Sequence, residues 1–488
     1  MHIYTAAQQK LIDKELYEND IYFKVIYDNY PNVANWLLAN LTIFFRNIEL
    51  SYLVVNYILF IIFWIGCYIL GSYVFKKSEI GIIFAIICSY GVKVHYSDAW
   101  GIVLGIVSTK DFVTAFIPYI LYLYFRYINN PLILSAIFFL TGLLSNIHPI
   151  TGLACFAVII FAYFLQKMNI KTIVSIIIYT IVFVIGALPL LLKGLTISTI
   201  IPPLEILYFR IGGQYMFFPF LFFSVLLIPC ILSFIYFQMK NNKNITLNTL
   251  LISSIIFFVF SVISSFMSPF FAPFQFVRSL KLIIPFLYLP SAFVIYTLWR
   301  KKQVYRIIAI VLILVLMIPP NYVMTIITPT AMKMNIDFRG TQNNILQQRM
   351  SDLTRIYSVD SLFQVSNWID QNTPNSAILL INPYIASVFR PLSKRSIVLS
   401  YKDGGNLILA RNSKLLDWYE DIKIGTEVYL TNDTVKYIDY AVKHNADYII
   451  IERNHNNLNL PIVFSSEDFI VYDVNQFLNQ SQIVAAQS

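Results

Sequence analysis

The chain has 488 residues, of which 58% are hydrophobic and 12% are charged. Soluble domains carry roughly 25% charged residues, so this composition excludes a single water-soluble core. The net charge of +9 does not indicate nucleic-acid binding, because residues 324–488 hold 14 basic and 16 acidic residues and the excess lies in the apolar part. The composition therefore predicts an integral membrane protein.

Apolar runs that are long enough to cross a bilayer, or nearly so, fill residues 47–323. They cover residues 51–75, 80–92, 113–125, 131–147, 149–166, 172–192, 217–238, 249–267, 283–299 and 307–323. The second run is short and the apolar stretch Ala99–Ser108 follows it closely, so one of the two is a candidate for a re-entrant or interfacial segment. We predict an all-α polytopic transmembrane domain of about ten helices.

Basic residues concentrate in alternate connections between these runs. They are Lys76, Lys77, Arg126, Lys167, Lys171, Lys240, Lys243, Arg300, Lys301, Lys302 and Arg306. By the positive-inside rule these connections are cytoplasmic. The other connections, and everything after residue 323, are then expected on the outer side of a bacterial inner or plasma membrane.

This orientation places residues 1–46 outside with no hydrophobic segment or signal peptide before them. We therefore expect the natural chain to begin with a further span, although translocation of a short N-terminus by the following span is an alternative. Within this segment, Val33–Ile48 is predicted to be an amphipathic helix on the membrane surface.

The pattern changes after residue 323. Residues 324–360 are predicted to be a polar linker, and residues 361–488 an extracytoplasmic α/β domain. Its predicted helices are Ser361–Gln371 and Thr434–Asn445, and its predicted strands are Ala377–Ile381, Ser396–Leu399, Tyr448–Glu452, Pro461–Phe464 and Phe469–Val474.

Two acids stand one residue apart in Glu18-Asn19-Asp20, within the first outward segment. Such a pair can hold a divalent cation, Mg²⁺ or Mn²⁺, or keep one carboxylate as a general base. The alternative is a solvated turn in a charged loop. We predict Asp20 and Glu18 as the catalytic acids.

Further ionisable residues gather in the outward connections and are predicted to bind substrate: His95, Asp98, Lys110, His148, Arg278 and Lys281. Lysine and arginine there can bind a lipid phosphate. The structural alternatives are interfacial anchoring for the cations and helix capping for His148. Glu205 and Arg210 are expected to pair with each other.

A basic cluster, residues 390–395, precedes the turn-like stretch Tyr401-Lys402-Asp403-Gly404-Gly405. Arg390 of this cluster is a further candidate for binding a phosphate or an anionic glycan. A purely structural loop is the alternative.

Three stretches resemble the multi-spanning glycosyltransferases of the GT-C superfamily, in particular their uncharacterised bacterial relatives with a C-terminal soluble domain. Leu16-Tyr17-Glu18-Asn19-Asp20 is similar to the acidic motif of their first outward loop. Ser108-Thr109-Lys110 through His148-Pro149 resembles their paired middle spans. The soluble domain is represented by Trp368-Ile369, Asn372-Thr373-Pro374, Phe389-Arg390 and Tyr448-Ile449-Ile450-Ile451-Glu452.

The resemblance implies transfer of a sugar from a polyprenyl-phosphate donor to an acceptor glycan or lipid at the outer face, as in cell-envelope polysaccharide biosynthesis. The hypothesis is an inverting enzyme in which Asp20, helped by Glu18, handles the acceptor proton while cations bind the departing phosphate. The alternative is a non-catalytic protein of surface-polysaccharide assembly, either a lipid-linked glycan transporter or a scaffold.

Overall fold

The computed structural model describes most of the chain. The described residues are 2–29, 33–89, 92–95, 98–102, 107–195, 200–211, 218–240, 244–267, 276–317, 358–431, 433–453 and 458–487. The helices are α1 (His2–Ile12), α2 (Ile21–Asn29), α3 (Val33–Phe45), α4 (Ile48–Phe75), α5 (Ser78–Ser89), α6 (Thr109–Tyr127), α7 (Pro131–Ser145), α8 (Pro149–Lys167), α9 (Ile170–Gly186), α10 (Leu188–Leu195), α11 (Leu204–Ile211), α12 (Phe218–Met239), α13 (Ile245–Met267), α14 (Ile284–Trp299), α15 (Gln303–Met317), α16 (Val359–Asn372), α17 (Ala386–Ser393), α18 (Asp403–Ala410), α19 (Lys414–Leu430), α20 (Thr434–Lys443) and α21 (Val474–Gln487). The strands are β1 (Val92–His95), β2 (Asp98–Trp100), β3 (Ile378–Ile381), β4 (Ser396–Ile397), β5 (Tyr448–Glu452), β6 (Ile462–Ser465) and β7 (Phe469–Asp473).

The chain divides into two compact units. The apolar unit comprises Pro31–Thr196 and Gly212–Gly340. The interleaved unit comprises Met1–Tyr30, Ile197–Ile211 and Thr341–Ser488. This division differs from the sequence-based one, which keeps residues 1–46 apart from the C-terminal domain. The reason is long-range pairing: α1 packs against α17, and α2 against α18.

The apolar unit is helical and carries the membrane character of the chain. Among the described residues, four helices are long and apolar enough to cross a membrane: Ile48–Phe75, Pro149–Lys167, Ile245–Ser264 and Ser279–Trp299. Shorter apolar helices of 10–17 residues accompany them. The predicted fold class, a helical membrane domain followed by an α/β domain, is confirmed. The number of crossings and their orientation stay predictions.

Small residues allow close packing where α7 crosses α9. A side chain added at Gly142 would collide with the carbonyl oxygen of Phe183, and one added at Gly186 with that of Phe139. Asn146 links the same helices, because its side-chain Nδ2 donates to the Gly186 carbonyl oxygen at 2.8 Å. Its Oδ1 accepts from the backbone N–H of Leu190, in α10, at 2.9 Å. Helices in lipid associate through such small residues and interhelical hydrogen bonds.

The connection between α5 and α6 contains an antiparallel hairpin, β1 with β2, in which His95 pairs with Asp98. The hairpin lies beside a 3-10 segment, Phe276–Leu282, that leads into α14. The short run predicted at residues 80–92 is thus a 12-residue helix, α5, followed by a strand.

The interleaved unit contains a five-stranded sheet of order β4-β3-β5-β7-β6. Strands β3, β4 and β5 are parallel, while β7 runs antiparallel to both β5 and β6. Apolar residues of β3, β5 and β7 pack against α16 and α17 to form its core: Val365, Ile369, Leu379, Ile381, Phe389, Ile450, Phe469 and Val471. A sheet covered by helices is the arrangement expected of an α/β domain.

The strands and α16 lie within a few residues of their predicted positions, but seven described helices of this unit are not predicted: α1, α2, α11, α17, α18, α19 and α21. Within the expected basic loop and turn at residues 390–405, residues 390–393 belong to α17, Ser396–Ile397 form β4 and residues 403–405 begin α18. In α19 the buried positions Leu415, Trp418, Ile422 and Thr426 follow helical spacing, which the sequence does contain.

Candidate functional site

Helix α6 of the apolar unit begins with a capping box. The Asp111 carboxylate accepts hydrogen bonds from the Ser108 backbone N–H at 2.7 Å and from the Ser108 hydroxyl at 2.6 Å. A capping box joins the N-cap residue, here Ser108, to the third residue of the helix, here Asp111, and fixes the first turn. Asp111 is thereby held buried beside Lys110, the residue that the sequence singles out.

Helix α8 begins after His148, whose Nδ1 accepts the backbone N–H of Thr151 at 3.3 Å. An accepting Nδ1 carries no proton, so the ring of His148 is neutral with its proton on Nε2. His148 is buried. The capping role given as the structural alternative is thus the observed one, and Nε2 remains a hydrogen-bond donor.

Lys281, in the 3-10 segment, is 1% exposed and donates from Nζ to the Thr151 hydroxyl at 2.8 Å. It therefore meets the same helical turn that His148 caps. Lys281 and Lys110 both act electrostatically on the Asp111 carboxylate. Buried lysine is rare in proteins unless it is paired or functional.

We call these five residues the polar cluster: Lys110, Asp111, His148, Thr151 and Lys281. It lies at the first turns of α6 and α8 and at the end of the 3-10 segment, at one end of two candidate membrane helices. Its two lysines exceed its one acid, so it carries a positive charge that suits a phosphate. Thr151 is the member that sequence reasoning missed. Asp111 is expected from the sequence on the same outward surface as Lys110 and His148, and its capping box with Ser108 fixes its place at the start of α6.

The remaining predicted residues of the apolar unit are His95, Asp98 and Arg278. Their backbones lie in β1, β2 and the 3-10 segment, and their side chains lie outside the described set. The hairpin packs beside the segment that carries Lys281. Their part in substrate binding stays a prediction.

Asp20, in the interleaved unit, lies in a buried ion triad. Its carboxylate accepts from Arg390 Nε at 2.8 Å and Nη2 at 3.2 Å, and Arg390 also donates to both Asp403 oxygens at 2.6 and 3.0 Å. The Asp20 carboxylate also accepts hydrogen bonds from the backbone N–H groups of Phe23 at 3.0 Å and Ile397 at 3.2 Å. The triad thus joins the N-terminal helices to the C-terminal domain.

The triad gives Asp20 and Arg390 a structural role, and their expected roles as base and substrate-binding cation stay predictions. Asp20 and Arg390 are buried, and the charge of each is matched within the triad, Asp20 by Arg390 and Arg390 by Asp20 and Asp403. Burial opposes the charge of Arg390, yet Asp20 and Asp403 raise its pKa above the ordinary value. Burial raises the pKa of Asp20, and Arg390 opposes that shift.

Glu18 is exposed and pairs with Lys10 at 3.3 Å. Because Asp20 faces Arg390 instead, the two carboxylates have separate basic partners and do not fit a shared divalent cation. The described residues also contain no group of three or more His, Cys, Asp or Glu side chains that could hold a metal. The predicted groove between these acids and the polar cluster joins residues of different units and stays a prediction.

The other two basic residues of the cluster at 390–395 also have partners within the protein. Arg395 is 2% exposed and donates to the Thr373 hydroxyl and carbonyl at 3.0 and 2.6 Å. Lys394 pairs with Asp370 at 2.6 Å. Together with Arg390, these residues hold α17 in place, which is the structural alternative.

Comparisons with known proteins give limited matches. Residues 361–423 match a domain of unknown function, DUF6798. No curated protein matches the chain. Among solved structures, it is similar to the Archaeoglobus fulgidus oligosaccharyltransferase tethered to an acceptor peptide with the NVT sequon, at 11% identity and a TM-score of 0.48. That alignment covers 92% of this chain and 64% of the oligosaccharyltransferase chain, so this chain spans under two thirds of its length.

Proposed function

We propose that the chain is a membrane glycosyltransferase of GT-C type that takes a sugar from a polyprenyl-phosphate donor at the outer face of the membrane. The observation that carries the proposal is the polar cluster, with Lys281 buried against Thr151 beside Asp111. Lys281 falls within the candidate span Ser279–Trp299, and a buried ionisable residue inside such a span is by default a functional-site hypothesis. The acceptor is a glycan or a lipid.

The cluster supplies the two requirements of such a transfer. The phosphate of the donor departs with negative charge, and Lys110 and Lys281 stabilise that charge. Asp111 supplies a carboxylate for the acceptor proton, and the Nε2–H of His148 orients a phosphate or sugar oxygen. In this scheme Asp111 takes the role that the sequence-based hypothesis gives to Asp20.

The test follows consumption of radiolabelled polyprenyl-phosphate sugars by membranes that contain the full chain. Lys281→Met keeps the apolar stem and removes the charge, so turnover is expected to fall about 100-fold or more. Lys302→Gln, at an exposed lysine of an inner connection, is the matched control and should turn over at the wild-type rate.

A second comparison tests whether Asp111 or Asp20 is the base. Asp111→Asn should reduce turnover about 100-fold, whereas Asp20→Asn should reduce it only as far as it lowers the folded fraction. The reverse ranking would restore Asp20 as the base. If no sugar of the panel is consumed by the wild type, the non-catalytic alternative, a transporter or scaffold for lipid-linked glycans, is favoured.

A further inference from the structure

Helix α11 of the interleaved unit carries one acid and one arginine that do not pair as the sequence suggests. Glu205 instead accepts from Lys423 Nζ at 2.9 Å and from the Tyr419 hydroxyl. Arg210 is left with no carboxylate among the described residues, and its Nε is buried without a hydrogen-bond partner there. A buried donor without an acceptor is unfavourable, so this arginine needs an explanation.

Arg210 is nevertheless held in a defined place. Its guanidinium lies over the Tyr401 ring at 4.8 Å, and the Tyr401 hydroxyl donates to the Phe209 carbonyl at 2.9 Å. The Tyr384 ring stacks on Tyr401 at 4.7 Å. Gly405 lets the guanidinium lie close to the α18 backbone, since a Cβ there would be 3.0 Å from Nη2. The arginine is thus preorganised by aromatic and backbone contacts.

A second cation stands next to it. Lys402 is exposed and has no acid partner among the described residues, because its neighbour Asp403 is committed to Arg390. It directly follows Tyr401, the residue over whose ring the Arg210 guanidinium lies. Two adjacent like charges are unfavourable unless an anion joins them.

We propose that Arg210 and Lys402 bind a phosphate group on the interleaved unit. A planar fork of donors and a neighbouring ammonium suit a phosphate with a charge near −2 better than a carboxylate. The phosphate belongs either to a lipid headgroup or to a soluble phosphate ester. This site belongs to a different unit from the polar cluster and does not depend on glycosyl transfer.

The experiment uses the full-length chain in nanodiscs and measures hydrogen exchange of the α18 backbone amides. In one arm, inorganic phosphate and glucose 1-phosphate are added to zwitterionic phosphatidylcholine discs. In the other, phosphatidic acid replaces part of the phosphatidylcholine. Slower exchange with the soluble probes indicates a soluble phosphate; slower exchange only with phosphatidic acid indicates a headgroup.

Three variants test the residues. Arg210→Gln should weaken the response about 10-fold or more, the range of a lost charge-assisted bond. Lys402→Gln, at an exposed position, should weaken it severalfold and does not put folding at risk. Lys414→Gln removes an exposed lysine paired with Asp417 and should leave it unchanged. A response equal in all three variants, or no response of the wild type to any probe, would overturn the proposal.

Discussion

Replacing Arg390 with Met should detach the N-terminal helices from the C-terminal part of the interleaved unit. Arg390 makes four charge-assisted hydrogen bonds to Asp20 and Asp403, at 2.6 to 3.2 Å. At about 1.5–3 kcal/mol each, a simple sum would exceed 6 kcal/mol. Removing the arginine also relieves its own burial, so the expected loss is that of a broken buried pair, about 3–5 kcal/mol.

The loss should depend on pH. Without the arginine, no positive charge of the triad opposes the burial that raises the pKa of Asp20, so the folded state binds protons more tightly than the unfolded one. The variant is then least impaired below the ordinary carboxyl pKa, about 4, and its defect grows as pH rises above it.

The assay is hydrogen exchange of the α2 amides in the purified full-length chain, which reports the free energy of local opening. Adding Asp20→Asn and Asp403→Asn to Arg390→Met removes the unpaired charges and should restore part of the protection. Arg395→Met, at a buried arginine outside the triad, is the matched control. In this variant the α2 amides should be more protected from exchange than in Arg390→Met. Unchanged protection of α2 in Arg390→Met, or no recovery in the triple variant, would refute this account of the triad.

Three further outcomes are expected. Burial raises the pKa of Glu452 to about 7, so the contribution of this residue to folding stability is lost as pH rises from about 4.5 to 7. The infrared signal of a protonated carboxyl should disappear over this pH range in the wild type. In Glu452→Gln the signal should be missing at every pH. Gly404→Ala would drive a methyl group into the Trp418 ring and should destabilise the interleaved unit by about 1–3 kcal/mol, measured as faster exchange in α18. Asn146→Ala removes the bond to Gly186 and should cost about 0.6–2 kcal/mol in unfolding by a denaturing detergent; equal resistance of wild type and variant would contradict it.

The sequence predicts those features that depend on local pattern. The short apolar run Tyr448–Glu452 is the observed strand β5, residue for residue. Long apolar runs predict α4 and α8 because hydropathy alone specifies such helices. Local pattern also contains the capping box of Asp111, which requires only a three-residue spacing.

Features that depend on distant partners could not be predicted in this way. Asp20 and Arg390 are separated by 370 positions, and nothing near Asp20 in the sequence shows that its carboxylate is buried by an arginine. Likewise, Glu205 and Arg210 are near enough on one helix to suggest a pair. Glu205 pairs instead with Lys423, which is 218 positions away.

The interleaving of the N-terminal helices with the C-terminal domain has a consequence for biosynthesis. The ribosome releases Asp20 hundreds of residues before Arg390 and Asp403, while the entire apolar unit is synthesised between them. Such non-local contacts form slowly, because a long loop must close before they stabilise anything. During translation α1 and α2 are therefore made long before α17 and α18, the helices against which they pack. We expect a chaperone or protease outside the bilayer to bind or cleave the nascent chain during this interval.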